Sequence, residues 1–120
     1  MIAILDTNAL LIPWHFKIDV FEQVSKLGFE PYTIEPVLHE LKVLAEGGFK
    51  GAAVALSLCE RCDIIEAAGG SSTDEQLVNT ALKYKAAVVT NDKRLKLQLR
   101  KQNIHVIQLR NRKYLEVDTQ

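Results

Sequence analysis

The chain has 120 residues, 48% of them hydrophobic and 25% charged, with fifteen basic side chains balanced by fifteen acidic ones. That length suits one domain, residues 1–120, able to bury roughly two-thirds of its unfolded surface without disulfides, and zero net charge argues against a protein that coats nucleic acid indiscriminately. No apolar run approaches the roughly 18 residues that would cross a bilayer, and Met1-Ile2-Ala3-Ile4-Leu5-Asp6 lacks the positive start and cleavage site of a signal peptide, so a cytoplasmic location is expected.

Along the chain, short apolar runs alternate with helix-period segments, the signature of βαβ units and a mostly parallel sheet. Ile2 to Leu5 reads as a buried strand. A helix is predicted from Asp19, its N-cap, through Val20, Phe21, Val24 and Leu27 to a terminating Gly28. Tyr32 to Ile34 reads as a short strand, and Pro36 opens a helix whose apolar positions Val37, Leu38, Leu41, Leu44 and Ala45 run until Gly47-Gly48. A helix from Ala52 to Cys62 leads into a strand at Asp63 to Glu66, and Gly69-Gly70-Ser71-Ser72 is a loop. Thr73 with Gln76 reads as a capping box for a helix through Leu77, Val78, Ala81 and Leu82. The strand Ala86 to Val89, a basic helix Lys93 to Gln102 with Leu95 and Leu99 inward, and a last strand Ile104 to Leu109 complete a three-layer α/β sandwich.

Acidic residues stand at telling places in this plan. Asp6 directly follows the first strand and Asp92 shortly follows Val89. In an open parallel sheet, ligands bind outside the carboxyl ends of the strands, where the strand order reverses, so both carboxylates are expected in one cleft. An Asp after a strand also caps the next helix, which is an equally good explanation of either residue alone. Asp74 falls in a first helical turn on the face that also carries Leu77, Val78 and Ala81; the helix dipole suits a carboxylate there. Glu40 flanks the apolar face of its helix, three after Val37 and four before Leu44. Four carboxylates gathered at one sheet end repel one another, and a hard divalent cation such as Mg²⁺ or Mn²⁺ resolves the repulsion.

Asp6-Thr7-Asn8, Glu40 within Val37-Leu38-His39-Glu40-Leu41-Lys42, Asp74 opening a helix that ends in Ala81-Leu82, and Thr90-Asn91-Asp92 resemble, in order and spacing, the four acidic motifs of PIN-domain nucleases. Asp92-Lys93-Arg94-Leu95-Lys96, the strand Ile104 to Leu109 and Arg110 with Arg112-Lys113-Tyr114 look like the archaeal and eukaryotic branch of that family linked to small-subunit ribosomal RNA processing. The resemblance implies a five-stranded sheet in the order 3-2-1-4-5, bound Mg²⁺ or Mn²⁺, and hydrolysis of RNA leaving 5′-phosphate and 3′-hydroxyl ends. It makes Asp6, Glu40, Asp74 and Asp92 the catalytic and metal-binding residues, with Asn8 and Thr90 orienting them.

The stretch from Lys83 to Lys113 is basic, with Asp92 as its one acid, and Lys93, Arg94, Lys96 and Arg110 are the candidate phosphate contacts. Trp14-His15-Phe16 could stack unpaired bases, although a hydrophobic contact closing the loop explains it better. His39 beside Glu40 reads as an exposed helix histidine, and Cys59 with Cys62 as small boundary residues, since zinc would need two further ligands nearby. The leading expectation is thus an RNA-processing endoribonuclease working with ribosome-assembly factors. The competing ones are a toxin-type ribonuclease with an antitoxin partner, pairing as a homodimer, and a non-catalytic RNA-binding assembly factor of the same fold. A phosphotransfer enzyme would need a second acid beside Asp6, and a nucleotide-binding enzyme a glycine-rich loop after the first strand; the chain has neither.

Overall fold

The structure is a computed structural model that describes residues 1–118. Strands β1 (Ile2–Leu5), β2 (Glu30–Ile34), β3 (Asp63–Ile65), β4 (Ala87–Val89), β5 (Val106–Arg110) and β6 (Tyr114–Asp118) form one sheet in the order β3-β2-β1-β4-β5-β6. All neighbours are parallel except β5 and β6. The helices are α1 (Thr7–Leu10), α2 (Ile12–Phe16), α3 (Val20–Lys26), α4 (Glu35–Glu46), α5 (Lys50–Leu58), α6 (Thr73–Tyr84) and α7 (Lys93–Lys101). The α/β architecture with a mostly parallel 3-2-1-4-5 core is the one expected.

The central strands explain themselves. Ala3, Ile4 and Leu5 of β1 and Ala87, Val88 and Val89 of β4 are all at most 1% exposed, because helices cover both faces of a parallel sheet and every strand position needs an apolar side chain. Leu77 and Ala81 of α6 and Leu95 and Leu99 of α7 bury the helical stripes against that sheet. Gly48, at φ +97°, stops α4 in a left-handed conformation that a side chain would resist. No helix among the described residues is long and apolar enough to cross a membrane.

Four local features differ from expectation. A sixth strand follows the predicted last one, through a tight hairpin in which Asn111 and Arg112 both have positive φ and Lys113 N–H bonds Arg110 O at 3.0 Å. Asn-Arg lacks the glycine that usually announces such a turn; tertiary anchors hold it instead, with Gln23 Oε1 accepting Leu115 N–H at 3.1 Å and Arg100 paired with Asp118. Helix α6 is capped by Ser72, not Thr73: Ser72 Oγ accepts Glu75 N–H at 3.1 Å, and Glu75 also accepts the Ser71 hydroxyl. A charged Glu75 in the first turn suits the positive end of the helix, where a cap at Thr73 would place only Gln76. Helix α5 ends at Leu58 and tightens into a 3-10 turn, Cys59–Arg61, before β3. The stretch after Asp6, predicted without elements, contains α1 and α2, the latter ended by Lys17 at φ 58°.

Candidate active site

The register of the sheet creates the site. Leu5 of β1 lies opposite Val89 of β4, so both strands leave the sheet at one level, and Asp6 N–H reaches Val89 O at 3.3 Å. The chain leaves β1 toward β2 on one side and, after β3, crosses to β4 on the other. This switch point opens a crevice above the carboxyl ends of β1 and β4.

Asp6 caps α1, with Oδ1 accepting Ala9 N–H at 2.7 Å, and Asp92 caps α7, with Oδ1 accepting Leu95 N–H at 2.9 Å. Capping and clustering are therefore not alternatives: one oxygen of each carboxylate fixes a helix start. Thr90 links the two motifs, because its buried hydroxyl accepts Asp92 N–H at 3.0 Å and hydrogen bonds to the Asp6 carboxylate. Asp74 enters from the first turn of α6, half-buried, and Glu40 from α4, exposed, with its Oε1 held by the Thr7 hydroxyl.

Electrostatics tie the four together. Burial drives the Asp6 carboxyl up from 3.8 to about 6; the Thr90 and Ala9 hydrogen bonds pull it down, while the charges of Asp74 and Asp92 push it higher. The Asp74 carboxyl is also raised, by burial first, then by Asp92 and Glu40, with Arg94 opposing. Each acid thus feels at least one other. Among the described residues, however, no three Asp, Glu, His or Cys side chains stand close enough to form a ready-made ligand cage. The donor chemistry still fits a hard divalent cation. The candidate donors are all carboxylate oxygens, with Asp6, Asp74 and Asp92 acting on one another and Glu40 on Asp74, and Mg²⁺ keeps several waters while taking only one or two carboxylates directly, so an open cluster suits a hydrated ion.

Of the two orienting residues expected, Thr90 contacts the acids, whereas Asn8 is exposed and its carboxamide makes no hydrogen bond among the described residues. Two further residues, Thr7 and Asn91, have roles that their motifs do not show. Thr7 braces Glu40 across the cleft. Asn91 clasps the backbone of Leu109, its Oδ1 accepting N–H at 2.8 Å and its Nδ2 donating to O at 3.2 Å, which fixes the Thr90-Asn91-Asp92 turn to the end of β5. Both sit beside recognised acids, but their partners are 33 and 18 residues away, beyond the reach of a local pattern.

The basic candidates divide. Lys93 is exposed with no ion pair among the described residues, and Arg94 lies where its charge acts on Asp74. Lys96 donates to Gln108 Oε1 at 2.8 Å, and Arg110 is 3.3 Å from Glu116 Oε1. His39 is exposed on α4, and Cys62 donates its thiol to Cys59 O at 3.4 Å.

Comparison with known proteins agrees with this fold. A family model described as a PIN like domain matches residues 3–112. Ribonuclease VapC9 of Archaeoglobus fulgidus is 32% identical over 121 residues, spanning 97% of this chain and 88% of the relative. Ribonuclease VapC4 of Methanocaldococcus jannaschii is 30% identical over 122 residues, spanning 93% and 92%. The solved PIN domain endonuclease Utp24 superposes with a TM-score of 0.82 at 28% identity, over 98% of this chain and 91% of that one. A chain of VapBC2 from Rickettsia felis, solved with a promoter DNA fragment, shares the fold, with a TM-score of 0.68 at 18% identity over 90% and 98%.

Proposed function

The chain belongs to the PIN-like domain family, and from that premise we propose that it is a divalent-metal-dependent endoribonuclease of the toxin type, held in check by an antitoxin partner. The observation that carries the nuclease reading is the convergence of Asp6, Glu40, Asp74 and Asp92 at the switch point, each raising or feeling the charge of another. Two relatives of nearly full-length overlap are ribonucleases by name and favour the toxin role over ribosomal RNA processing. The processing reading draws on the likeness of the stretch from Asp92 to Tyr114 to that branch and is favoured slightly by its basic charge, and within that stretch Lys96 donates to Gln108 and Arg110 pairs with Glu116.

Asp6, Asp74 and Asp92, with Glu40, would hold the ion, which when bound supplies Lewis-acid stabilisation of the charge developing on the phosphate. The protein contributes fixed geometry. The Ala9 and Leu95 amides hold one oxygen each of Asp6 and Asp92, and Thr90 prevents the two motifs from separating. The brace from Thr7 keeps the long Glu40 side chain turned to the cleft, limiting the rotamer entropy its ordering would otherwise cost. Lys93 stands beside Asp92 to take a flanking phosphate.

Purified protein should cleave single-stranded RNA with Mg²⁺ or Mn²⁺, leaving ends that accept ligation through a 5′-phosphate, and stop in EDTA. Cleavage that persists in EDTA and leaves 2′,3′-cyclic phosphates would refute the reading. Co-expression with the product of a small adjacent reading frame should suppress growth arrest if the toxin role is right; arrest-free expression of the active protein alone would remove it.

A further inference from the structure

Beside the acid cluster lies a groove of about 300 Å³, lined by Asn8, Ile12, His15, Phe16, Leu109 and Asp92 among others. We propose that this groove is a subsite for one unpaired nucleobase of the RNA strand, flanking the phosphate at the acids, with Phe16 as the stacking surface. The inference rests on the nuclease reading above and extends it to how the substrate is held.

Three features select a base as the occupant. Phe16 is a large aromatic left 36% exposed, and every nucleobase has a π-face that an aromatic ring can accept irrespective of sequence. The neighbouring aromatics are already engaged. Trp14 packs edge-on to Phe49 at 6.5 Å, over a glycine, Gly51, whose Cβ would sit 2.7 Å from Trp14 Cδ1. His15 stacks on the same Phe49 at 6.1 Å, with 26° between the rings. The ridge Trp14-His15 therefore fastens α2 to the start of α5, and Phe16, whose one ring–ring contact among the described residues is with the edge of His15 at 6.1 Å, lines the groove with part of its ring exposed. The sequence alternatives of packing and stacking are thus divided between adjacent residues.

The second feature is Asn8. Its exposed carboxamide has no hydrogen bond among the described residues and offers a donor and an acceptor to the edge of a base. The third is charge. Asp92 belongs both to the groove and to the acid cluster, so a base in the groove carries its own backbone to the cluster. Lys93 beside it and Arg112 and Lys113 in the turn beyond Leu109 are exposed cations for the flanking phosphates.

The test is a double-mutant cycle between protein and RNA. A short single-stranded RNA carries 2-aminopurine or an abasic residue at successive positions around the cleavage point, and binding to the full chain is measured with Ca²⁺ as the only divalent ion. At one register, 2-aminopurine fluorescence should change on binding to wild type and not to Phe16→Ala. There the abasic RNA should bind wild type roughly 5- to 150-fold more weakly than intact RNA. For Phe16→Ala the two RNAs should bind alike. Phe16→Leu, which keeps an apolar side chain without a ring, should behave like the alanine variant, and Phe16→Trp should restore the coupling. Equal abasic penalties for wild type and Phe16→Ala at every register would overturn the subsite while leaving the nuclease reading intact. Coupling without any cleavage in Mg²⁺ would support the subsite and count against the nuclease reading, and failure of wild type to bind RNA would end both.

Discussion

Replacing Asp6 by Asn removes a carboxylate that burial and neighbouring charges disfavour. The side chain is 6% exposed, and burial with the nearby Asp74 and Asp92 charges drives its carboxyl from 3.8 to about 6. At 1.36 kcal/mol per tenfold change in proton affinity, holding this carboxylate ionised costs the metal-free fold about 3 kcal/mol. The sign follows from proton counting. Between about pH 4 and pH 6 the folded state keeps the proton that the unfolded chain has released, so stability falls as pH rises through that window and stays low above it. Asp6→Asn has no proton to lose, and an Asn caps a helix as well as an Asp, so the hydrogen bond to Ala9 N–H is kept. In EDTA the two proteins should be nearly equal in stability below pH 4, and the variant should lead by about 2–3 kcal/mol at pH 7 while losing cleavage activity. Urea unfolding followed by circular dichroism at half-unit steps from pH 3.5 to pH 7.5 gives the difference directly. A gap that does not change with pH, or a variant less stable than wild type at pH 7, would show that Asp6 acts as a plain helix cap and not as a member of a repelling cluster.

Divalent metal should relieve the same repulsion: Mn²⁺ at a hundredfold excess over its dissociation constant should stabilise wild type by about 2.7 kcal/mol and Asp92→Asn by much less, and equal gains in thermal melts would remove Asp92 from the ligand set. Because Lys93 has no ion pair among the described residues while Lys96 and Arg110 are engaged, Lys93→Ala should flatten the log–log salt dependence of single-stranded RNA binding by about 0.7, and Arg110→Ala by less; the reverse order would undo the division of the basic residues. Asn91→Ala removes both hydrogen bonds to Leu109 and should cost about 1 kcal/mol in stability, with kcat falling more than KM rises because Asp92 loses its anchor; a change in KM alone would place Asn91 outside the machinery.

What the sequence determined by itself was the set of features encoded over a few residues. Continuous apolar runs marked β1 and β4 because a strand covered on both faces admits little else, and the helical stripes, the glycine stops and Asp19 as a cap were equally local. Asp6 and Asp92 were legible because each follows such a strand, and strand ends in a parallel sheet share one edge. Glu40 and Asp74 needed the family pattern, since an acid on a helix flank or in a first turn is ordinary. Only the tertiary structure decided what depends on distant partners. It buried Asp6 among other charges, joined Thr7 to Glu40 and Asn91 to Leu109, and withdrew Lys96 and Arg110 into contacts with Gln108 and Glu116. It also formed the β6 hairpin without a glycine and, by locking Trp14 and His15 onto Phe49, left Phe16 facing the groove. Hydrogen bonds and charges act over a few ångströms whatever the separation along the chain, so their partners become known only once packing has brought them together.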